Sequence, residues 1–308
     1  MNYLCVDGGQ TKTAVFLLGE DGIQLATWEE DPLISPSRQQ GMAILRAVIR
    51  RICEELRAFM LRHAYDPLQA MCFSLTGYLE GDPRIPALVD EEVRRYFPQL
   101  ERIYTIPDYI GNWMAATMGK PGIVIISGGG TVAYGRDVSG ASLRIGGWGH
   151  LLGDEGSGYW IGLQAIKAAL QSWAGTVPGR ALAGQIMERI RVKNERELLH
   201  KVYSGQLPDA EIASLVPLVC SLSLSGDEAA AQILDEAAAH LVKLAEAMSR
   251  RLGILPIYLS GGVFQAPSMQ ERFKRSLAAT VYGTEVVIAP SDPVRGIFLV
   301  ARGDLDNT

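Results

Sequence analysis

Three short glycine clusters, each placed directly after an apolar segment, are the residues of this sequence best suited to bind an anion. They are Asp7-Gly8-Gly9-Gln10-Thr11-Lys12-Thr13, Ser127-Gly128-Gly129-Gly130-Thr131 and Ser260-Gly261-Gly262. Backbone N–H groups in a glycine turn can bind phosphate oxygens, although a plain hairpin also uses glycine for its positive φ. In the first cluster, hydroxyls and a lysine follow the glycines, and Asp7 could hold Mg²⁺ through water. Three such turns in one chain point to a shared nucleotide site.

A second candidate for chemistry is Asp108, which follows the apolar segment RIYTIP at the predicted start of a helix. A carboxylate is favoured there by the helix dipole and often serves as a cap. The alternative is a general base at the carboxyl end of a strand, where the sites of α/β proteins gather. The neighbouring residues alone favour neither interpretation.

The segment GGWGHLLGDEGSGYWIG, residues 146–162, has seven glycines in seventeen positions. Glycine loses more backbone entropy on folding than any other residue, so such a density is tolerated only where the chain bends sharply or lies close to something. Trp148, His150 and the acidic pair Asp154–Glu155 lie among the glycines. We therefore expect a binding loop here, followed by a packing helix from Gly158.

The elements that must position these residues follow the order β-β-β-α-β-α-β-α in the first half of the chain, and the second half begins in the same way. Strands alternating with helices predict an α/β fold with mixed sheets, and the repeated order predicts an internal duplication. A length of 308 residues suggests two domains. We place them at residues 1–117 and 118–308, with a helix-rich insertion at 179–252 in the second.

The composition is that of a globular protein, with 48% hydrophobic and 20% charged residues. A net charge of −5 gives no support to a nucleic-acid or membrane-surface role, and no apolar run reaches the roughly 18–20 residues that span a bilayer. No signal peptide is expected. The four cysteines, Cys5, Cys53, Cys72 and Cys220, show no CxxC spacing. We therefore expect a cytoplasmic protein without disulfides or a cysteine-built metal site.

Taken in order, these motifs resemble those of the actin-like sugar kinases, specifically the N-acetylglucosamine kinase branch of the BadF/BadG/BcrA/BcrD ATPase family. The resemblance covers nearly the whole chain, and its most specific part is residues 146–162, which are similar to the family's sugar-binding signature. The other matching segments are DGGQTKT and IVIISGGGT for the two phosphate motifs, PDYIGNWMAA for the catalytic aspartate and YLSGGVF for the adenosine motif.

This resemblance implies two RNase H-like domains of the actin-like ATPase type, with mixed sheets around an interdomain cleft. It implies an ATP-dependent, Mg²⁺-using kinase that phosphorylates an amino sugar, N-acetylglucosamine, at the 6-hydroxyl, and that assembles as a homodimer. Glucosamine, N-acetylmuramic acid and other hexoses are also compatible with the residues. Such a reaction requires mainly alignment and charge stabilisation from the protein.

The resemblance also implies roles for individual residues. Asp108 matches the residue that accepts the proton from the 6-hydroxyl. The sugar would contact Asp108 and the loop residues Gly147, Trp148, Gly149 and Asp154, while His150 and Glu155 would brace the loop. Asp7 would hold Mg²⁺ through water. The nucleotide would be bound by Gly8, Gly9, Gln10, Thr11, Lys12, Gly128, Gly129, Gly130, Thr131, Gly261 and Gly262.

The chain departs from the family's pattern at several positions. Gln10 replaces a third glycine in the first phosphate motif, Gly129 replaces a threonine in the second, and Thr131 replaces a serine. The loop DPLISPS, residues 31–37, has no match for the asparagine with which relatives contact the sugar. These departures bear on the identity of the sugar and on catalytic efficiency.

Two other functions fit the same scaffold. One is a non-catalytic sugar or nucleotide sensor, which the changes at Gln10 and Gly129 favour but which would need no base at Asp108. The other is the activator ATPase of the same family, which holds a [4Fe–4S] cluster between subunits through paired cysteines. Cys220 stands alone in an apolar helical segment, which disfavours the activator.

Overall fold

The computed structural model describes residues 1–9, 11–33, 40–63, 66–176, 180–290 and 292–304. The chain divides into two compact units: Met1–Lys120 with Pro290–Thr308 form unit 1, and Pro121–Ala289 form unit 2. The division at Lys120 lies close to the boundary expected after residue 117. The C-terminal segment, which we expected in the second domain, packs with unit 1 instead.

The strands and helices lie where the apolar runs and glycine turns of the sequence predict them. In chain order they are β1 (Asn2–Gly8), β2 (Thr13–Gly19), β3 (Gln24–Glu30), α1 (Gly41–His63), β4 (Leu68–Leu75), α2 (Arg84–Tyr96), β5 (Arg102–Pro107), α3 (Asp108–Thr117), β6 (Gly122–Ser127), β7 (Thr131–Arg136), β8 (Ser142–Gly146), α4 (Gly158–Trp173), α5 (Arg180–Ile190), α6 (Glu195–Tyr203), α7 (Asp209–Ala213), α8 (Val216–Leu224), α9 (Glu228–Leu252), β9 (Ile257–Ser260), α10 (Pro267–Ala278), β10 (Val286–Ile288) and α11 (Pro293–Arg302).

The sheet of unit 1 has the strand order β3-β2-β1-β4-β5. Strands β1, β2 and β3 pair antiparallel as a meander, whereas β4 and β5 add in parallel on the other side of β1. In this register Asp7 lies opposite Ser74, and Ser74 lies opposite Ile106. The carboxyl ends of β1, β4 and β5 therefore meet at one edge of the sheet.

The two faces of this sheet are covered by different helices. Alternate strand residues such as Leu4, Val6 and Phe73 pack into one hydrophobic cluster with α1 and α2. On the other face α11 packs against β1 and α3, and the ring of Phe298 lies edge-on to Tyr3 with centroids 5.4 Å apart. Gly296 lies so close to the backbone of Gly111 that no side chain fits between the two helices. This tight packing explains why the C-terminal helix belongs to unit 1.

The sheet of unit 2 repeats the same topology with the order β10-β9-β6-β7-β8. Strands β6, β7 and β8 form the antiparallel meander, and β9 and β10 add in parallel beside β6. The predicted internal duplication and the predicted mixed sheets are thereby confirmed.

The helix-rich insertion expected at 179–252 in unit 2 corresponds to α5–α9. The alanine-rich α9 contacts β6, β7 and β8, and its small residues Ala237, Ala238 and Ala245 are fully buried. Helices α4, α6 and α9 begin with side-chain caps from Ser157, Asn194 and Asp227. One continuous hydrophobic cluster joins these helices to the sheet of unit 2.

The four cysteines are buried and free, which is a common environment for a small hydrophobic side chain of this kind. Burial raises the pKa of every one of these thiols, which is the environment of unreactive cysteines. Within the described ranges, no single helix has the length and apolar character to cross a membrane, whereas the bent pair Asp209–Leu224 and Glu228–Leu252 has them jointly.

Candidate functional site

In unit 1 the structure brings Asp7, Gly8 and Asp108 to the same edge of the sheet. Asp7 and Gly8 end β1, and Asp108 follows β5 as the first residue of α3. Between them, Thr76 follows β4, and its backbone N–H donates to the Gly8 carbonyl at 2.8 Å. Parallel strands place their carboxyl ends together, so residues far apart in the sequence form one cluster.

The carboxyl group of Asp108 has the most strongly shifted acidity in this cluster. Burial, followed by the negative charge of Asp7, raises its pKa from 3.8 to about 6. A hydrogen bond from the Thr76 hydroxyl and bonds from the first backbone N–H groups of α3 act in the opposite direction. The result is a carboxylate that is ionised at neutral pH and is more basic than an ordinary aspartate.

Asp7 lies near Asp108, and burial raises its pKa as well, against the attraction of Lys12. On the neighbouring strand the Ser74 hydroxyl is buried and has no hydrogen-bond partner within the described ranges. Carboxylate and hydroxyl oxygens are the donors that Mg²⁺ prefers, with water completing its shell. The described residues contain no group of three or more His, Cys, Asp or Glu side chains that could hold a metal by themselves. This donor set therefore fits a hydrated Mg²⁺ held through Asp7.

The first glycine turn, residues 8–12, is held from inside unit 1. The Gly9 N–H donates to the Lys12 carbonyl at 3.0 Å, and the Leu33 N–H donates to the Gly9 carbonyl at 2.9 Å. A side chain at Gly8 would collide with Leu33 and Leu75. Thr11 is exposed, and the Lys12 ammonium forms an ion pair with Glu29. Gln10, which we also expected at the nucleotide, lies outside the described residues.

In unit 2 the second glycine turn, residues 127–131, joins β6 to β7. The Gly128 N–H donates to the Gly130 carbonyl at 3.0 Å and closes the turn. A Cβ atom at Gly128 or Gly129 would meet no atom within 4 Å, so both glycines face open space. Thr131 is 4% exposed, and its hydroxyl has no hydrogen-bond partner among the residues that the structure describes.

The predicted binding loop, residues 146–158, is joined directly to this second glycine turn. Four hydrogen bonds between described residues connect them: Gly147 N–H to the Thr131 carbonyl at 2.8 Å, Thr131 N–H to Asp154 Oδ1 at 3.2 Å, Ser127 Oγ to the Gly156 carbonyl at 2.9 Å and Gly158 N–H to the Gly128 carbonyl at 2.7 Å. The second glycine turn and the loop, which are separate in the sequence, therefore lie side by side in unit 2 as one hydrogen-bonded layer.

Asp154 lies at the centre of this layer with a left-handed backbone, φ 63°. Burial raises the pKa of its carboxyl group, and hydrogen bonds from the backbone of Thr131 and Gly149 oppose that shift. Its second oxygen, Oδ2, lies where a side chain at Gly130 would be, 2.8 Å from the position of such a Cβ atom. Position 130 therefore has to be glycine if Asp154 keeps this place.

The other polar and aromatic residues of the loop differ in how exposed they are and in what they contact. Trp148 is 59% exposed and lies against Gly153. His150 faces Asp209, with Nδ1 and Oδ2 3.6 Å apart, and its ring lies 4.7 Å from that of Tyr159. These contacts agree with a bracing role for His150, whereas Glu155 is exposed. Next to them, Leu151 and Leu152 are largely exposed, and the sequence analysis overlooked both.

The third glycine turn, residues 260–262, packs on the second. Gly261 has φ 97° and lies against the backbone of Ser127 without room for a side chain. A Cβ atom at Gly262, by contrast, would meet nothing within 4 Å. All glycine motifs of unit 2 therefore converge at the carboxyl ends of β6 and β9.

Thr76 and Ser74 are the site residues that sequence reasoning missed. They lie in the segment AMCFSLTG, whose apolar run by itself predicts a strand and no site residue. Their position could have identified them, because polar residues at the carboxyl end of an apolar strand lie at the edge of the sheet where α/β sites form, as Asp7 and Asp108 do.

Comparison with known proteins adds to these local observations. The sequence profile of the BadF/BadG/BcrA/BcrD ATPase family matches residues 4–301. The N-acetylmuramic acid/N-acetylglucosamine kinase of Clostridium acetobutylicum is 29% identical over 310 residues, which cover 98% of each chain. The N-acetyl-D-glucosamine kinase of Dictyostelium discoideum is 25% identical over 316 residues, which cover 97% of each chain.

Among solved structures, one from Chromobacterium violaceum, provisionally assigned as an N-acetylglucosamine kinase, matches with a TM-score of 0.76. It is 23% identical and covers 97% of this chain and 98% of its own. At this identity the likeness establishes the fold. The chain has the α/β fold of the actin-like ATPases, as the sequence predicted.

Proposed function

The chain belongs to the BadF/BadG/BcrA/BcrD ATPase family, and we propose that it is an ATP-dependent kinase that phosphorylates N-acetylglucosamine at the 6-hydroxyl. The observation that carries this proposal is Asp108, whose pKa is raised to about 6 at the edge of the sheet where Asp7 and Gly8 also lie. A general base, a carboxylate suited to Mg²⁺ and a glycine turn suited to phosphate are the parts that phosphoryl transfer requires.

In this proposal Asp108 accepts the proton from the 6-hydroxyl as the sugar oxygen attacks the γ-phosphorus of ATP. The bond between that phosphorus and the β–γ bridging oxygen breaks, and ADP leaves with the bonding electrons. Its elevated pKa strengthens it as a base, yet leaves it ionised near pH 7. The Thr76 hydroxyl fixes the carboxylate through the hydrogen bond between them. Fixed orientation matters because much of the rate of such a reaction comes from holding the reacting atoms in line.

The glycine turns supply backbone N–H groups to the nucleotide. Gly128 and Gly129 face open space, so phosphate oxygens can approach this turn closely. The Gly128 N–H already donates to the Gly130 carbonyl, and we therefore assign the phosphate contact to the Gly129 N–H. When bound, Mg²⁺ would neutralise charge on the phosphates, and Asp7 is the residue that would hold it through water. Lys12 keeps its ion pair with Glu29, so its positive charge acts on the phosphates at most from a distance.

The amino sugar is assigned to the binding loop of unit 2, with Asp154 accepting hydrogen bonds from ring hydroxyls beside Gly147, Trp148 and Gly149. We place N-acetylglucosamine first because the names of both relatives include it, whereas N-acetylmuramic acid occurs only in that of the Clostridium acetobutylicum kinase. We also propose a homodimer acting in the cytoplasm, a compartment in which four free thiols stay reduced.

The test is a panel of sugars assayed with Mg-ATP: N-acetylglucosamine, N-acetylmuramic acid, glucosamine and glucose. We expect phosphorylation of N-acetylglucosamine with the highest kcat/KM, and a product whose phosphate is on the 6-oxygen by NMR. The Asp108→Asn variant, which keeps the shape of the side chain, is the matched control and should bind ATP with turnover lowered by about 10²–10⁴-fold. Binding of sugar and ATP by the wild-type protein with no turnover of any sugar would support the sensor and contradict the proposal.

A further inference from the structure

A hydrogen bond between Asp154 and Thr131 links the binding loop to the second glycine turn. The Thr131 N–H is the last donor of the second glycine turn, and it points to Asp154 Oδ1 at 3.2 Å. The other carboxylate oxygen lies against Gly130. One side chain of the binding loop thus accepts a hydrogen bond from the turn at Thr131 and fills the space beside Gly130.

The surroundings leave little freedom in this arrangement. Asp154 adopts φ 63°, a conformation that aspartate and asparagine accept more readily than other residues with a side chain. The Gly147 N–H returns to the Thr131 carbonyl at 2.8 Å, so Thr131 is held through both its backbone groups. A change in the position of Asp154 must therefore move the turn.

We propose that Asp154 is a positioning residue for the nucleotide as well as a ligand of the sugar, and that it couples the binding of the two substrates. This inference rests on the proposed function for its sugar half. A carboxylate has lone pairs for about four hydrogen bonds, so Asp154 keeps Thr131 while accepting from a sugar hydroxyl. Sugar binding immobilises the carboxylate, which orders the turn and tightens nucleotide binding; by reciprocity, nucleotide tightens sugar binding equally.

Two neutral substitutions separate the hydrogen bond from the charge. Asp154→Asn retains an oxygen that accepts from the Thr131 N–H, whereas Asp154→Gly removes it and tolerates the left-handed backbone. Since both variants lose the negative charge, the ratio of their nucleotide dissociation constants reports the lost acceptor alone. Leu151→Ala is the matched control, because Leu151 lies in the same loop, is 86% exposed and has no assigned role in binding either substrate.

The experiment is calorimetric titration of a non-hydrolysable ATP analogue with Mg²⁺ into each variant, without sugar and with saturating N-acetylglucosamine. Without sugar, we expect Asp154→Gly to bind the analogue about tenfold more weakly than Asp154→Asn, and Leu151→Ala to bind it like the wild type. With sugar, we expect the wild type to bind the analogue at least fivefold more tightly. In steady-state kinetics, the KM for ATP should be higher in Asp154→Gly than in the wild type, and Asp154→Asn should restore it.

Equal nucleotide affinities for the glycine and asparagine variants would overturn the positioning role, and an unchanged wild-type affinity in the presence of sugar would overturn the coupling. Circular dichroism of each variant confirms that the fold is retained. The sugar-free comparison needs no kinase activity. A failure of the proposed function, seen as no turnover of any sugar, is therefore distinguishable from a failure of this inference.

Discussion

The Thr76 hydroxyl donates a hydrogen bond to the Asp108 carboxylate, and this bond works against the two effects that raise the pKa of that group. Burial and the negative charge of Asp7 raise the pKa of Asp108, while Thr76 lowers it, with a final value of about 6. Asp7, Thr76 and Asp108 lie at the carboxyl ends of three parallel strands, β1, β4 and β5. The pKa of the proposed base is therefore set by the edge of the sheet and not by α3 alone.

Replacing Thr76 with valine removes the hydroxyl and keeps the shape of the side chain. The pKa of Asp108 should rise, since the ionised form loses a donor. The acid limb of kcat/KM should therefore move to higher pH, with activity at pH 6 about fivefold lower and activity at pH 8 little changed. The pH–rate profile is the measurement. Thr76→Ser, which keeps the hydroxyl, should leave the limb in place, and a limb unmoved by valine would contradict the assignment of Asp108 as base.

Asp108→Asn should lower kcat by about 10²–10⁴-fold, the usual contribution of a general base, and should also make the protein more stable at alkaline pH. The folded-state pKa of about 6 exceeds the unfolded value of about 3.9. The ionised aspartate therefore costs stability, and that cost appears as the pH rises from about 4 to about 6.

The expected gain in the free energy of unfolding is about 1–3 kcal/mol at pH 8, and it should vanish at pH ~3, below both pKa values, where aspartate is protonated in both states. Urea unfolding at the two pH values measures it. If the variant is inactive but differs in stability from the wild type by the same amount at both pH values, Asp108 carries no buried charge.

Gly129→Thr should be tolerated and should improve nucleotide binding. No atom lies within 4 Å of a Cβ at this position, and the added hydroxyl is a donor next to the proposed phosphate site. One hydrogen bond to a charged group supports a decrease of about threefold to tenfold in the KM for ATP. Gly130→Thr is the control, because its side chain would collide with Asp154; that variant should lose activity. An unchanged KM in Gly129→Thr would place the phosphates away from this turn.

Gly261→Ala should destabilise unit 2. Its Cβ would collide with the backbone of Ser127, and φ at this position is 97°. The collision and the unfavourable φ together should lower the free energy of unfolding by about 2 kcal/mol or more. Gly262→Ala, one residue on, meets no atom within 4 Å and should be nearly neutral. Thermal unfolding compares the two, and equal melting temperatures would show that the second and third glycine turns are not in contact.

The order of strands and helices could be predicted from the sequence because each depends on local chemistry. Glycine turns between alternating apolar runs predict the hairpins at β1–β2 and β6–β7, and helical spacing predicts α1 and α9. The place of the C-terminal helix could not be predicted in this way. It depends on whether Gly296 meets Gly111, a contact between residues that no local pattern relates.

The sequence by itself determined the family motifs, the duplicated α/β order and the candidate residues Asp7, Asp108 and Asp154, because residue type and short-range spacing are enough to identify them. Only the tertiary structure decided that Thr76 supports Asp108, and that Asp154 holds Thr131, which lies 23 residues away. The physical reason is the same in both cases. Parallel pairing and loop packing bring distant backbone groups within hydrogen-bond distance, and hydrogen bonds depend on geometry that residue order does not contain.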